Sequence, residues 1–431
     1  MRTISLCLIS LLLILVTSGC SSGRELERTA FVLTMGIDKG VNGNLDLIFR
    51  VAIPRSMDIR AGGETSTLQE TTKIITVNAR SISEGISLAS TNVERKLDFR
   101  HLRTVLFGEE LARDELLYHQ LDALERNPEF RRTTYLLLTE GPAREVFLST
   151  RPVLERSVAR YIDGIMQNMR EQGFGTPVTL HEFVTAMETY HLDPVLPMVK
   201  NNPMVQSEKV DSKVKPMPEV KYKRREAGKT EPGGKTTESL PRSGGNPSEF
   251  IGLGIFHQGK LIDKWSGWET NSYNLLRDTY QRSMWTFDDP SGHFVYSMEL
   301  ERARSPEANI DWEGGTPHIA IQLSLDGDLR SVQSLEPYVD SQGIALLENH
   351  AATLIEKEVR RLIAKAQEKK IDPFFLSRFV RMHMATIQDL EDLNWRDEFS
   401  RAQVDVHVSV KIRRPGLRIQ PSKEYEYQRA P

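Results

Sequence analysis

The chain has two cysteines, Cys7 and Cys20, and both stand in its first twenty residues. No disulfide and no cysteine-based metal site can brace the remainder of the chain, which must fold on ordinary apolar cores. A chain of 431 residues is long enough to build two or three. The surroundings of the cysteines are as informative as their number. Arg2 makes a short basic segment, Ile4–Val16 is apolar apart from Ser5, Cys7 and Ser10, and the run closes on Thr17-Ser18-Gly19-Cys20. That order reads as an export leader over residues 1–19, with Cys20 acylated as the first residue of the mature chain. The apolar run is shorter than the roughly 20 residues that a membrane-spanning helix needs. Ordinary secretion would end in A-x-A instead. Against the lipid reading, Thr17 stands where such signals favour leucine.

Hydrophobic residues make up 39% of the chain and charged residues 27%, as in a soluble globular protein. The formal net charge is −3, without the basic clustering that nucleic-acid partners select. No nucleic acid is expected, and any membrane connection runs through the lipid on Cys20. Residues 20–29 form a polar stalk whose nine residues after Cys20 reach about 30 Å at most.

Residues 30–199 alternate strand-like and helix-like patterns. Ala30–Ile37 and Leu45–Ile53 flank DKGVNGN and predict a hairpin. Lys73–Val77 is a third strand, and Ser81–Leu97 has helical spacing. Then come a strand at Arg103–Phe107, a helix at Glu109–Glu125 and a strand at Thr133–Thr139. Pro142 opens one helix and Pro152 a longer one through Arg170. Thr179-x-x-Glu182 is a capping box for a helix ending before Pro194.

Residues 200–248 differ, with six prolines and eleven Lys/Arg against six Asp/Glu. With so little apolar area to bury, the stretch predicts a flexible basic linker or a long insertion. Its two G-K-T triplets, at 228–230 and 234–236, lack the upstream glycine and strand of a phosphate loop.

Residues 249–431 read as a C-terminal α+β domain. Phe250–Phe256 and Lys260–Trp265 flank H-Q-G as a hairpin. Trp268–Thr279 is a helix, Phe294–Leu300 and His318–Leu325 are strands, and D-G-D after the second predicts a turn. From about Gly343 to Lys370 runs the longest helix, with an apolar stripe through Leu347, Ala351, Ile355, Val359, Leu362, Ile363 and Ala366. A further helix is predicted at Phe374–Met384. Ala402–Ile412 alternates strictly, its valines facing one way, and predicts a strand packed on the long helix. The fold class is α+β and multi-domain, with a C-terminal antiparallel sheet packed on a long helix.

No catalytic constellation stands out. The ten histidines are dispersed, without H-E-x-x-H and without an i,i+4 pair. Gly85-x-Ser87 lacks the next glycine of a nucleophile elbow, and Asp288-Asp289-Pro290 reads as a turn. Trp268, Trp285, Trp312 and Trp395 could line a ligand pocket, but core packing suits them better. No cofactor or metal site is expected, and the chain reads as a non-enzymatic, membrane-tethered binding or assembly protein.

An ordered series of motifs resembles the Ger(x)C family, the lipoprotein C subunits of spore nutrient germinant receptors. It runs from Cys20 and R-E-L-E through M-G-I-D-K at Met35–Lys39, F-R-H-L-R-T-V-L-F-G-E-E-L-A at Phe99–Ala112 and G-P-A-R-E-V at Gly141–Val146. It continues with F-I-G-L-G-I-F-H-Q-G-K-L at Phe250–Leu261, I-D-P-F at Ile371–Phe374, W-R-D-E-F at Trp395–Phe399 and R-R-P-G at Arg413–Gly416. After Asp372 the family usually carries a glycine-bearing segment, where this chain has P-F-F-L-S-R. The resemblance implies three α+β domains, two of them within residues 30–199, and no catalytic site. It also implies diacylglyceryl anchoring through Cys20 on the outer face of the spore inner membrane, and work with integral-membrane A and B subunits. The alternative reading is a solute-binding lipoprotein that delivers a small molecule to a membrane partner.

Overall fold

The structure is a computed structural model that describes residues 28–53, 72–155, 157–202, 245–313, 315–333, 338, 340–381, 384 and 386–416. The expected leader, Cys20, most of the stalk and most of the 200–248 stretch lie outside the described residues.

Ten strands form the first sheet: β1 (Thr29–Lys39), β2 (Leu45–Ala52), β3 (Thr72–Ala79), β4 (Lys96–Asp98), β5 (Thr104–Phe107), β6 (Tyr135–Thr139), β7 (Val178–Thr179), β8 (Val195–Asn201), β9 (Ser248–His257) and β10 (Lys260–Trp265). Their order is β10-β9-β8-β6-β5-β1-β2-β3, with β4 beside β1 and β7 beside β6. The central neighbours β1, β5, β6 and β8 are parallel, whereas β2, β3, β9 and β10 add antiparallel flanks. Parallel neighbours need crossover connections, and the chain supplies them as helices.

Alternation along the strands gives the sheet two apolar faces. Ile48, Leu106, Leu137 and Val199 meet helices Ala143–Ser149 and Val158–Gln172 through Val146, Phe147, Ile162 and Met166. On the other face Met35, Phe49, Phe107 and Leu138 meet helices Ile82–Ala89, Leu116–Arg126 and Leu180–Glu188. The Thr179–Glu182 capping box forms as predicted, with both reciprocal hydrogen bonds present. The helix expected from Pro152 starts later, at Val158, where Ser157 caps Arg160 N–H.

Five strands form the second sheet: β11 (Arg282–Asp288), β12 (Val295–Arg302), β13 (Glu307–Glu313), β14 (Thr316–Val332) and β15 (Gln403–Arg414). β12 and β13 pair end to end along one side of β14, β11 borders β12, and β15 lies along the other side of β14. Helix Ser341–Glu368 covers this sheet with the predicted stripe, from Leu347 to Ala366, fully buried. Asp340 caps it by accepting from Gly343 N–H at 2.7 Å. Arg360 ties helix to strand, donating to the Val404 and Val406 carbonyls at 2.9 and 2.7 Å. The α+β, multi-domain architecture is therefore present, in two sheets among the described residues.

Three expectations need correcting, and a fourth is narrowed to one of its two readings. The hairpin β9–β10, expected to open the C-terminal domain at 249, belongs to the first sheet, because the edge of β8 needs a partner and β9 pairs with it antiparallel. Asn202 N–H reaches the Pro247 carbonyl at 2.8 Å, so the 200–248 stretch is an insertion whose two ends are fastened together within a β8–β9 hairpin. The last strand pairs parallel to β14, which makes the second sheet mixed. Alternation reports which face is buried but not strand direction, and a long helix between two strands allows the parallel return. Finally, D-G-D is no turn. Asp326 and Asp328 stay within β14 because Arg413 and Arg414 of β15 neutralise them, each at 2.9 Å.

Ile355 sits fully buried between the long helix and the second sheet. Ile355→Ala should lower the unfolding free energy by about 3 kcal/mol in urea titration, while Leu346→Ala, on the exposed side, should stay within about 0.5 kcal/mol.

Candidate functional site: buried carboxylates that clamp the sheets

β9–β10 is shaped to lie between the two halves of the molecule. Gln258 and Gly259 both take positive φ, 49° and 77°, so the turn is of the primed type that suits two-residue hairpins. Gly252 (φ 93°) leaves no room for a side chain, since a Cβ there would lie 2.5 Å from the Trp265 carbonyl oxygen. Its Gly-x-Gly is thus a matter of close strand packing. From this hairpin Asp263 forms ion pairs with Lys365 of the long helix and with Lys369 just past its end, at 3.4 and 3.8 Å. Lys365 also reaches Glu269 at 3.1 Å, and Trp265 stacks on Phe374 with ring centres 5.6 Å apart.

The centre of the junction is Asp193, 2% exposed, in the turn before β8. Arg396 holds it with both guanidinium arms, at 3.1 and 2.8 Å, His257 Nδ1 lies 3.0 Å away, and Asp372 N–H donates at 2.7 Å. Burial opposes ionisation, but the hydrogen bonds from His257 and Arg396 outweigh it and hold the carboxyl below the usual range. Asp372 is equally buried. It accepts from Leu376 N–H, Ser377 N–H and Trp395 Nε1 at 3.1, 3.0 and 2.8 Å. Here burial dominates and pushes the carboxyl up. The departure noted after Asp372 is accommodated in this way: the carboxylate caps P-F-F-L-S-R, Phe375 adopts φ 58°, and the helix expected from Phe374 begins only at Ser377.

A second clamp stands at the carboxyl ends of β1, β5 and β6. Asp38 accepts from Ala143 and Arg144 N–H at 2.6 and 3.0 Å, fixing the start of the helix after Pro142. Gly108 makes this approach possible, because a Cβ there would lie 2.1 Å from Asp38 Oδ1. Lys264 of β10 reaches Glu109 and Glu140 at 3.1 and 3.0 Å, linking this clamp to the hairpin.

Of the sequence candidates, the structure brings Trp268 and Trp285 together and leaves the others apart. Trp285 and Trp395 are core residues, Trp268 is partly buried against Trp285, and Trp312 is exposed. Asp289 organises its turn, accepting from Ser291 Oγ at 2.7 Å and from the backbone of His293 and Phe294. His407 faces solvent. Among the described residues no group of three His, Cys, Asp or Glu could hold a metal, and no hydroxyl or thiol hydrogen-bonds to His257. Cys20, the predicted lipidation site, lies outside the described residues. Sequence reasoning missed Asp193, His257 and Arg396 as partners, although F-H-Q-G, I-D-P-F and W-R-D-E-F already held three of the junction's four stretches.

Comparison with known proteins agrees over both halves. The family described as "Spore germination protein N-terminal domain" matches residues 22–201, and "Spore germination B3/ GerAC like, C-terminal" matches 251–416. The latter boundary falls inside the first sheet, within β9. Similar curated proteins include the putative spore germination protein YfkR of Bacillus subtilis (24% identical; 96% of this chain, 98% of that protein) and spore germination protein KC of the same species (21%; 98% of each). Spore germination protein GerQC of Bacillus cereus is 20% identical over 93% of this chain and 95% of its own. The crystal structure of the GerBC protein shares the fold with a TM-score of 0.51 at 19% identity, covering 88% of this chain and 96% of that one.

Asp193 has its folded value below its unfolded one. Its contribution to stability is complete above the unfolded value of about 4 and is lost as pH falls through the folded value. Asp372, shifted up, contributes in the opposite sense: fully below about 4, and lost as pH rises through its folded value. Asp193→Asn should therefore cost about 3 kcal/mol at neutral pH and flatten the acid limb of the stability profile, read by urea unfolding from neutral to acid pH. An unchanged acid limb would contradict this account of the junction.

Proposed function

Because the chain belongs to the Ger(x)C family of spore germination proteins, we propose that it is the membrane-anchored C subunit of a nutrient germinant receptor, acting in assembly and signal transduction beside integral-membrane A and B subunits. The observation that carries this reading is the match of both family halves, in order, along one chain. In this role the protein does no chemistry of its own. A diacylglyceryl group on Cys20 would hold it to the outer face of the spore inner membrane, and the stalk would keep its first sheet within about 30 Å of the bilayer. Confinement to a surface raises effective concentration, so modest protein contacts suffice for assembly. The clamps at Asp193 and Asp372 suit such a subunit, since two sheets joined by buried ion pairs can pass a displacement on as one body.

The solute-binding alternative calls for a deep cleft of some 300–1,000 Å³. The cavity lined by Arg50 and Tyr161 offers about 30 Å³, too little for a whole amino acid or sugar. Calorimetric titration with both classes of nutrient decides the matter, micromolar binding favouring the alternative. Cys20→Ala should release the protein from spore membranes and abolish nutrient-triggered germination while leaving its fold intact. Normal membrane retention and normal germination of that variant would end the anchored-subunit reading.

A further inference from the structure

Arg50 is a buried cation with no counter-ion among the described residues. It lies in β2, 5% exposed, on the face covered by helices Ala143–Ser149 and Val158–Gln172. Its guanidinium donates one hydrogen bond, to the Phe147 carbonyl, and lies 5.4 Å from the centre of the Phe147 ring. Among the described residues no carboxylate approaches it. Burial pushes the guanidinium down to about 10, the nearby Tyr161 opposing. A guanidinium has five N–H donors; Phe147 takes one, and the nitrogens that carry the others are not sealed in but open to solvent at the cavity.

Arg50 lines a partly open cavity of about 30 Å³ with Thr34, Tyr161, Ile162 and Phe250. The Tyr161 hydroxyl is fixed by accepting from Asn246 Nδ2. Thr104 pairs with Thr34 in the sheet and shares the cavity face with Leu106 by alternation, and its buried Oγ1 has no partner. One side of the cavity thus offers guanidinium and hydroxyl groups, and the rest is apolar. By volume it holds about two waters or one carboxylate group.

We propose that this cavity is a binding site for a small carboxylate, whose oxygens take the unmet N–H donors of Arg50 and the Tyr161 hydroxyl while its carbon end rests against Ile162 and Phe250. A guanidinium fork matches a carboxylate in plane and spacing, and charge-assisted bonds of this kind are among the stronger ones available. The site stands apart from the Asp193 junction, on the other face of the first sheet, so it does not depend on the anchoring or the partners of the protein.

Acetate is the probe, titrated calorimetrically into the full chain in sodium sulfate buffer free of other monoanions. One saturable site is expected, weakened at least about tenfold by Arg50→Met and severalfold by Tyr161→Phe. Because Arg50→Met could unfold the region, a second measurement uses the unmutated protein. The ¹⁵Nε resonance of Arg50 should move with acetate along the calorimetric curve. Absence of saturation, an unmoved resonance, or equal binding by a folded Arg50→Met protein would mean that the cavity holds water only, and would overturn the proposal.

Discussion

An ionised carboxylate withdrawn from water is tolerable only where donors replace the lost hydration, and Asp193 draws its donors from stretches that sequence keeps far apart. His257 closes β9, Asp372 lies just past the long helix, and Arg396 begins the last helix before β15. Meeting these donors brings the hairpin of the first sheet, the end of the long helix and the start of the final strand to one point. The positions of β9, the 341–368 helix and β15 are then no longer independent. Removing the Asp193 charge would leave a half-buried arginine and histidine facing each other, which is why the junction resists gradual loosening.

Asp372 adds a different constraint. It is held up by burial where Asp193 is held down by its partners, although the two are linked through the Asp372 N–H. Two carboxylates in one apolar junction would repel if neither had donors. The division of partners resolves this: the cations go to Asp193, and the neutral N–H groups of Leu376, Ser377 and Trp395 go to Asp372. The P-F-F-L-S-R segment is thereby wound tightly around its own acid, which is how the chain does without a glycine-bearing segment there.

The legible part of the sequence is periodic. The stripe from Leu347 to Ala366, the alternation of β15 and the Thr179–Glu182 box each repeat within a few residues, so local spacing suffices to recognise them. β8 escapes such a reading because it carries Pro197, a residue expected at sheet edges, whereas here an irregularity between Pro197 and Val199 lets β8 lie between β6 and β9. Hairpin β9–β10 is recognisable but falls to the wrong sheet, since a turn pattern names the two strands it joins and not their neighbours. The aspartates of D-G-D find their arginines 86 or more residues away, and Arg396 lies 203 residues from Asp193. Nothing local encodes such pairs. The motif strings carry the signal only as isolated words, and pairing them takes the fold.

The two faces of the first sheet carry unequal burdens. One is continuous with the core of the second sheet, so its apolar residues hold the molecule together as a whole. The other holds a separate, smaller cluster under two helices, and it contains Arg50, without a counter-ion among the described residues, and the cavity. Losses on this face fall on helix Val158–Gln172 and on the entry to β9, where Asn246 meets Tyr161 and Thr150 meets Ser248. Those residues stand at the fastened base of the 200–248 insertion. A ligand that neutralised Arg50 would stiffen that base without touching the Asp193 junction. The fold therefore separates a face that keeps the two sheets together from one whose local stability can be adjusted by a single charge.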